Sequence, residues 1–165
     1  MKNNKTNQGT RNGGGLAENI ENKETYDNEM SIILKSDSKN EGFARVAVAG
    51  FIAQLDPTLA DLSDIKTAVS EAVTNAIIHG YEGASEGEIT LTCKYRENEV
   101  YIEVKDAGVG IKDIAEAREP LYTSKPEMDR SGLGFTVMEN FMDEIEVVSH
   151  DGVGTIVKMM KKLRL

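Results

Sequence analysis

The chain has 165 residues and a formal charge of −9, a length that suits one domain with a real core. That acidity disfavours direct contact with nucleic acid, whose phosphates it would repel. The single cysteine, Cys93, excludes an internal disulfide and fits a reducing cytoplasm. No apolar run approaches the ~18 residues of a membrane span, and the N-terminus lacks the apolar core of a signal peptide, so a cytoplasmic protein with no membrane contact is expected.

Residues 1–28 are rich in Asn, Gly, Lys, Glu and Thr, with Gly13, Gly14 and Gly15 in the middle. This composition predicts a disordered leader ahead of one domain spanning 29–165. Met30, Ile32 and Leu34 alternate with polar neighbours as a strand. Ser38 and Glu41 have the spacing of a capping box, opening a helix with Phe43, Ala47, Phe51 and Leu55 on one face. Asp56-Pro57 ends it. A second helix begins around 61–63, buries Ile65, Ala68, Val69, Ala72, Val73, Ala76 and Ile77, and ends at Gly80 as a left-handed cap. Strands at 89–95 and 100–104 form a hairpin through Arg96, Glu97 and Asn98. Leu133, Val137, Met138 and Phe141 mark a third long helix. Two last strands, near 144–149 and 154–162, are joined through Asp151-Gly152. The expected fold is an α/β (α+β) two-layer sandwich, with a mixed, largely antiparallel sheet and helices on one face.

Glu71 and Asn75 stand four residues apart, so one helical face offers a proton acceptor beside a cation ligand. Asp106-Ala107-Gly108-Val109-Gly110 follows a strand directly. There glycines permit close backbone approach and the aspartate can accept from an amino group, although the pattern taken alone reads first as an ordinary turn. Ser131-Gly132-Leu133-Gly134 opens the third helix, where backbone N–H groups can meet an anion; a Ser cap with incidental glycines is the alternative. The Gly-Lys-Ser/Thr ending of a Walker loop is missing. Gly152-Val153-Gly154-Thr155 reads as a plain hairpin turn, with Thr155 a strand residue whose hydroxyl can support Asp106 from behind. The polar stretch between Gly110 and Ser131 carries Arg118, Thr123, Ser124, Lys125 and Arg130 and reads as a lid, or else as a solvated loop. His79 reads as a helix-terminal capping residue, Cys93 as an inert core thiol, and Met138, Met142, Met159 and Met160 as core filler.

In this order, Glu71-x-x-x-Asn75, Asp106-x-Gly108-x-Gly110, Gly132-x-Gly134 and Gly154-Thr155 resemble the ATP site of the GHKL (Bergerat-fold) superfamily. Within it, Phe43-Ala44-Arg45-Val46, residues 51–57, 71–81 and 130–141 resemble the sporulation anti-sigma kinases, over about residue 30 to the C-terminus. Phe135 stands where some members have a third glycine, which should tighten the phosphate loop. The resemblance implies ATP or ADP with Mg²⁺ as cofactors. It implies phosphorylation of a serine on an anti-anti-sigma protein, retention of sporulation sigma factor F, and a homodimer, for which the first strand offers a sheet edge. It assigns Glu71 to the attacking serine hydroxyl, Asn75 to Mg²⁺, Asp106 to the adenine amino group, and Gly108 and Gly110 to admitting the nucleotide. Ser131, Gly132, Leu133 and Gly134 fall to the phosphates, Lys125 and Arg130 to the γ-phosphate, and Thr155 to the base pocket. Arg45, off the Phe43 stripe and so expected to be exposed, is nominated as a partner contact. A stress-response anti-sigma kinase, a nucleotide-gated sigma-binding module without transfer, and a simple ATPase remain alternatives.

Overall fold

The computed structural model describes residues 25–122 and 132–164. Most of the leader, together with Thr123, Ser124, Lys125, Arg130 and Ser131, lies outside them. The elements are β1 (Asn28–Lys35), α1 (Lys39–Ile52), a 3₁₀ turn (Ala53–Leu55), α2 (Leu59–Asn75), a π turn (Ala76–Gly80), β2 (Glu88–Arg96), β3 (Glu99–Asp106), α3 (Ile114–Ala117), α4 (Gly134–Phe141), β4 (Glu144–His150) and β5 (Gly154–Lys162). The strands form one sheet in the order β1-β2-β3-β5-β4, and every neighbouring pair is antiparallel.

Period-two alternation supplies one apolar face of the sheet. Leu34, Ile89, Leu91, Cys93, Val100, Ile102, Val104, Val157 and Met159 are buried in one cluster with α1, α2 and α4. Met138 and Met142 join that cluster and Met160 is half-buried. Burial pushes the Cys93 thiol up to about 12, so it stays protonated and inert. Just ahead of β1, Tyr26 packs edge-on to Tyr101 at 5.4 Å, and the Lys94 ammonium lies 3.9 Å from its ring centre.

Five local expectations are corrected. The buried stripe of α1 is Ala44, Val48 and Ile52, one residue along from the expected one, and Phe43 is 56% exposed. The Ser38–Glu41 capping box does not form. Glu41 instead accepts from the Ser70 hydroxyl on α2, while Asp37 receives the Lys39 N–H at 2.9 Å. Helix α2 starts earlier than expected, because the Thr58 hydroxyl accepts the Asp61 N–H at 3.1 Å. Gly80 is not a left-handed cap; the helix widens into the π turn, with the Tyr81 N–H bonded to the Ala76 carbonyl at 3.0 Å. The third helix also spans only eight residues.

Asp61 at the start of α2 is fully buried. Its carboxylate accepts from the Thr58 hydroxyl at 2.8 Å, and from Arg164 through the backbone N–H, Nε and Nη2 at 3.0, 2.9 and 2.6 Å. Burial alone would raise its pKa, but the Arg164 and Thr58 bonds together hold it below the usual 3.8. A depressed native pKa adds stability above the unfolded value that is lost as pH falls through the native one. Arg164→Ala should therefore cost about 1–3 kcal/mol near neutrality. It should also flatten the loss of stability below about pH 4, as read from urea midpoints across pH.

Candidate nucleotide site

A cavity of about 580 Å³ opens between the end of α2, the loop after β3 and the start of α4, within the range of small-ligand sites. Asn75, Asp106, Gly110, Gly132, Gly134 and Thr155 all line it. Segments far apart in sequence thus meet at one place. Glu71, Gly108 and Leu133 are not in the lining, and neither is Arg45.

The floor is set by sheet register. Asp106 on β3 stands opposite Thr155 on β5, and Thr155 opposite Ser149 on β4. The Asp106 carboxyl accepts from the Gly108 N–H at 2.9 Å and from the backbone N–H of Thr155. Thr155 therefore supports Asp106 through its amide, whereas its hydroxyl pairs with Ser149 at 2.8 Å. Burial raises the Asp106 pKa, and these two backbone bonds pull against that rise.

The glycines work through close approach. A Cβ on Gly108 would lie 2.1 Å from the Gly80 carbonyl oxygen, and one on Gly110, at φ +75°, 2.1 Å from the His150 carbonyl oxygen. Gly110 faces the cavity; Gly108 lets the loop lie against the π turn, where Val109 N–H reaches the Gly80 carbonyl at 2.9 Å. A Cβ on Gly134 would lie 3.0 Å from Asn75 Oδ1 and 3.3 Å from Glu71 Oε2. The Glu71 and Asn75 side chains therefore converge against the first residue of α4, with Glu71 just behind the cavity wall. No side chain caps α4, and its first N–H groups have no carbonyl within their own helix.

The rim is acidic: Glu82, Asp113, Glu116, Glu119 and Asp151 line it beside Lys112 and His79. Among the described residues no three His, Cys, Asp or Glu side chains are grouped to hold a metal ion. The donor set still fits Mg²⁺, which is bound typically by one or two protein oxygens plus phosphates and water. Arg118, a cation of the expected lid, is paired with Glu139 on α4 at 2.5 Å. No sequence motif marks His79 as a lining residue, nor Tyr81 and Ser149 as supports behind the floor. Only the π turn and the strand register bring these into place.

A two-layer domain with a helix-borne carboxylate–carboxamide pair, an aspartate at a strand end and a glycine-led helix is the arrangement of an ATPase-type domain. The chain belongs to the family of histidine kinase-like ATPase domains, whose model matches residues 35–161. It is similar to the anti-sigma F factor of Oceanobacillus iheyensis, with 60% identity over 136 residues, 82% of this chain and 93% of that protein. The anti-sigma F factor of Bacillus thuringiensis is 56% identical over the same shares. Two solved structures share the fold. The RsbU and RsbW domains of a Mycobacterium tuberculosis protein match at TM-score 0.60 and 21% identity over 82% of this chain; the chain spans about a third (32%) of that structure. The catalytic domain of the histidine kinase ThkA matches at TM-score 0.51 and 17% identity, over 82% of this chain and 96% of that one. No helix among the described residues is long and apolar enough to cross a membrane.

Proposed function

We propose that the chain is an anti-sigma factor and an ATP-dependent protein serine kinase: it retains sporulation sigma factor F and phosphorylates a serine of an anti-anti-sigma protein. The observation that carries this reading is the convergence of Glu71 and Asn75 on Gly134, at a cavity whose floor is Asp106. A base-reading group and a phosphate end are thereby joined to a proton acceptor. The similarity to anti-sigma F factors at 56–60% identity supports the same partners.

ATP would supply the transferable phosphoryl group, and Mg²⁺ would neutralise part of the phosphate charge that the acidic rim otherwise repels. The residues do the rest. Asp106 accepts from the base amino group, and ionised it does so best, so affinity should not survive its protonation. Asn75 offers its amide oxygen to the cation, and the N–H groups at Gly132, Leu133 and Gly134 face the phosphates. Lys125, Arg130 and Ser131, outside the described residues, are proposed as phosphate contacts. Glu71 orients or deprotonates the incoming serine hydroxyl. A second copy is proposed to pair along β1, an edge strand of the sheet.

Arg45 is half-buried and not fully exposed as expected. Its guanidinium lies 3.4 Å from Ser70 Oγ and 3.6 Å from Glu41 Oε1. With 42% of the side chain still exposed, it remains the proposed partner contact. The test is incubation with sigma factor F, the anti-anti-sigma protein and γ-labelled ATP. Label should reach a serine of the anti-anti-sigma protein, and Arg45→Glu should weaken capture of at least one partner about tenfold or more. Sigma binding without any labelled protein would leave a nucleotide-gated binding module in place of a kinase.

A further inference from the structure

The loop after β3, residues 107–111, carries little regular structure, yet it is fastened along its length. Gly108 N–H goes to Asp106 and Val109 N–H to the Gly80 carbonyl, each at 2.9 Å, and the Val109 carbonyl accepts from Gly152 N–H at 2.6 Å. Its two ends are held by side-chain hydroxyls that do not line the cavity. Ala107 N–H donates to the Tyr81 hydroxyl at 2.9 Å, and Ile111 N–H donates to the Ser149 hydroxyl at 2.8 Å.

Both hydroxyls are themselves fixed. Tyr81 Oη donates to the Glu88 carbonyl at 2.6 Å, so the phenol spans from the π turn to the start of β2. Its ring lies where a Cβ on Gly87 would come within 2.4 Å, and glycine there leaves it room. Ser149 Oγ donates to the Gly154 carbonyl at 2.9 Å. Because a carbonyl only accepts, we assign the Ser149 proton to the Gly154 carbonyl and the Thr155 proton to Ser149 Oγ, 2.8 Å away, the placement in which every one of these contacts is a hydrogen bond. The Thr155 oxygen is then left as an acceptor. The floor of the cavity thus offers two acceptors, Asp106 and Thr155, to whatever enters. Such a floor suits an exocyclic amino group and disfavours the carbonyl oxygen that guanine carries at the equivalent position.

We propose that the Tyr81 and Ser149 hydroxyls are positioning residues that hold the 107–111 loop and the Asp106–Thr155 floor in the arrangement that selects adenine over guanine. The inference rests on the nucleotide reading of the cavity and adds to it the residues that set base preference. Tyr81→Phe releases the Ala107 N–H and the Glu88 carbonyl. Ser149→Ala releases the Ile111 N–H and frees the Thr155 proton to turn toward the cavity.

The full-length chain is titrated calorimetrically with Mg·ADP and with Mg·GDP, for wild type, Tyr81→Phe, Ser149→Ala and Ser149→Thr. Each of the first two variants should lose about three- to tenfold in ADP affinity, the worth of one hydrogen bond. GDP affinity should hold or rise, so that the ADP/GDP ratio falls. Ser149→Thr, which keeps the hydroxyl, should restore the ratio. In the nucleotide-free protein, amide exchange should quicken at Ala107 in Tyr81→Phe and at Ile111 in Ser149→Ala. A wild-type ADP/GDP ratio in both variants overturns the proposal, even where melting temperature falls, since a merely structural tie lowers stability without changing base preference. If wild type binds neither nucleotide, the reading of the cavity itself falls, and that result is separate from any difference among variants.

Discussion

Glu71→Gln should slow phosphoryl transfer to the anti-anti-sigma serine by about 10²–10⁴-fold, the range for loss of a general base, with nucleotide affinity nearly unchanged. The substitution keeps the volume of the side chain while removing its negative charge and its ability to take a proton. Glu71 is not part of the cavity lining, whereas Asn75, one turn along α2, is. A group behind the wall contributes to the transfer step without binding the ground state, so kcat falls and KM for ATP holds. Asn75→Ala should behave differently, weakening Mg·ATP binding and transfer together. Single-turnover transfer of γ-label and calorimetric titration with Mg·ADP separate the two. Transfer by Glu71→Gln at the wild-type rate would remove Glu71 from the chemistry and reduce the pair to a structural contact with Gly134.

The parts of this fold legible in sequence are those where one period dominates. Along α2 only one face is apolar, and Ile65, Ala68, Val69, Ala72 and Val73 are buried as expected. Along β2 and β3 the alternation is equally clean. Helix α1 is different: between Phe43 and Ile52 almost every residue is apolar, so the pattern does not choose a face. Size suggests Phe43, but the structure buries Ala44 and Val48, small residues that let α1 and α2 pack closely. Glu41 was readable as a cap and became a partner of Ser70, because a contact on a neighbouring helix outweighed one within its own turn.

The candidate site divides in the same way. Asn75, Asp106, Gly110, Gly132, Gly134 and Thr155 were nominated from local signals whose order resembled a known site, and they line one cavity. What local signals lacked was the reason each residue is there. Gly80 looked like a helix cap, yet its missing side chain makes room for Asp106, whose Oδ1 would lie 2.9 Å from a Cβ. No composition marks a π turn; it brings Gly80 against Val109 and Asp106. The Asp106–Thr155–Ser149 row likewise depends on the register of three strands, two of them joined by a hairpin far along the chain.

Gly108→Ala should weaken ADP binding by about tenfold to a hundredfold and destabilise the nucleotide-free protein by about 1–3 kcal/mol, the cost of overpacking. The added methyl would lie 2.1, 2.3 and 2.7 Å from the oxygen, carbon and Cα of Gly80. All three are backbone atoms, so no side chain can swing aside. Relief requires the loop to part from the π turn, which breaks the Val109–Gly80 hydrogen bond and moves the Asp106 carboxyl off the cavity floor. Gly50→Ala is the matched control. It lies inside α1 with nothing within 4 Å of the new methyl, and should stabilise by about 0.5–1 kcal/mol through helix propensity and a less flexible unfolded chain. Gly152→Ala separates strain from crowding, since its surroundings are equally open but its φ is +75°. It should cost roughly 1–2 kcal/mol for the left-handed backbone and leave base selectivity intact. Urea midpoints and Mg·ADP titrations on the three variants should therefore diverge, with only Gly108→Ala losing both stability and nucleotide. If Gly108→Ala binds ADP like wild type, the approach of the loop to Gly80 does not set the position of Asp106, and the floor must be held by the sheet alone.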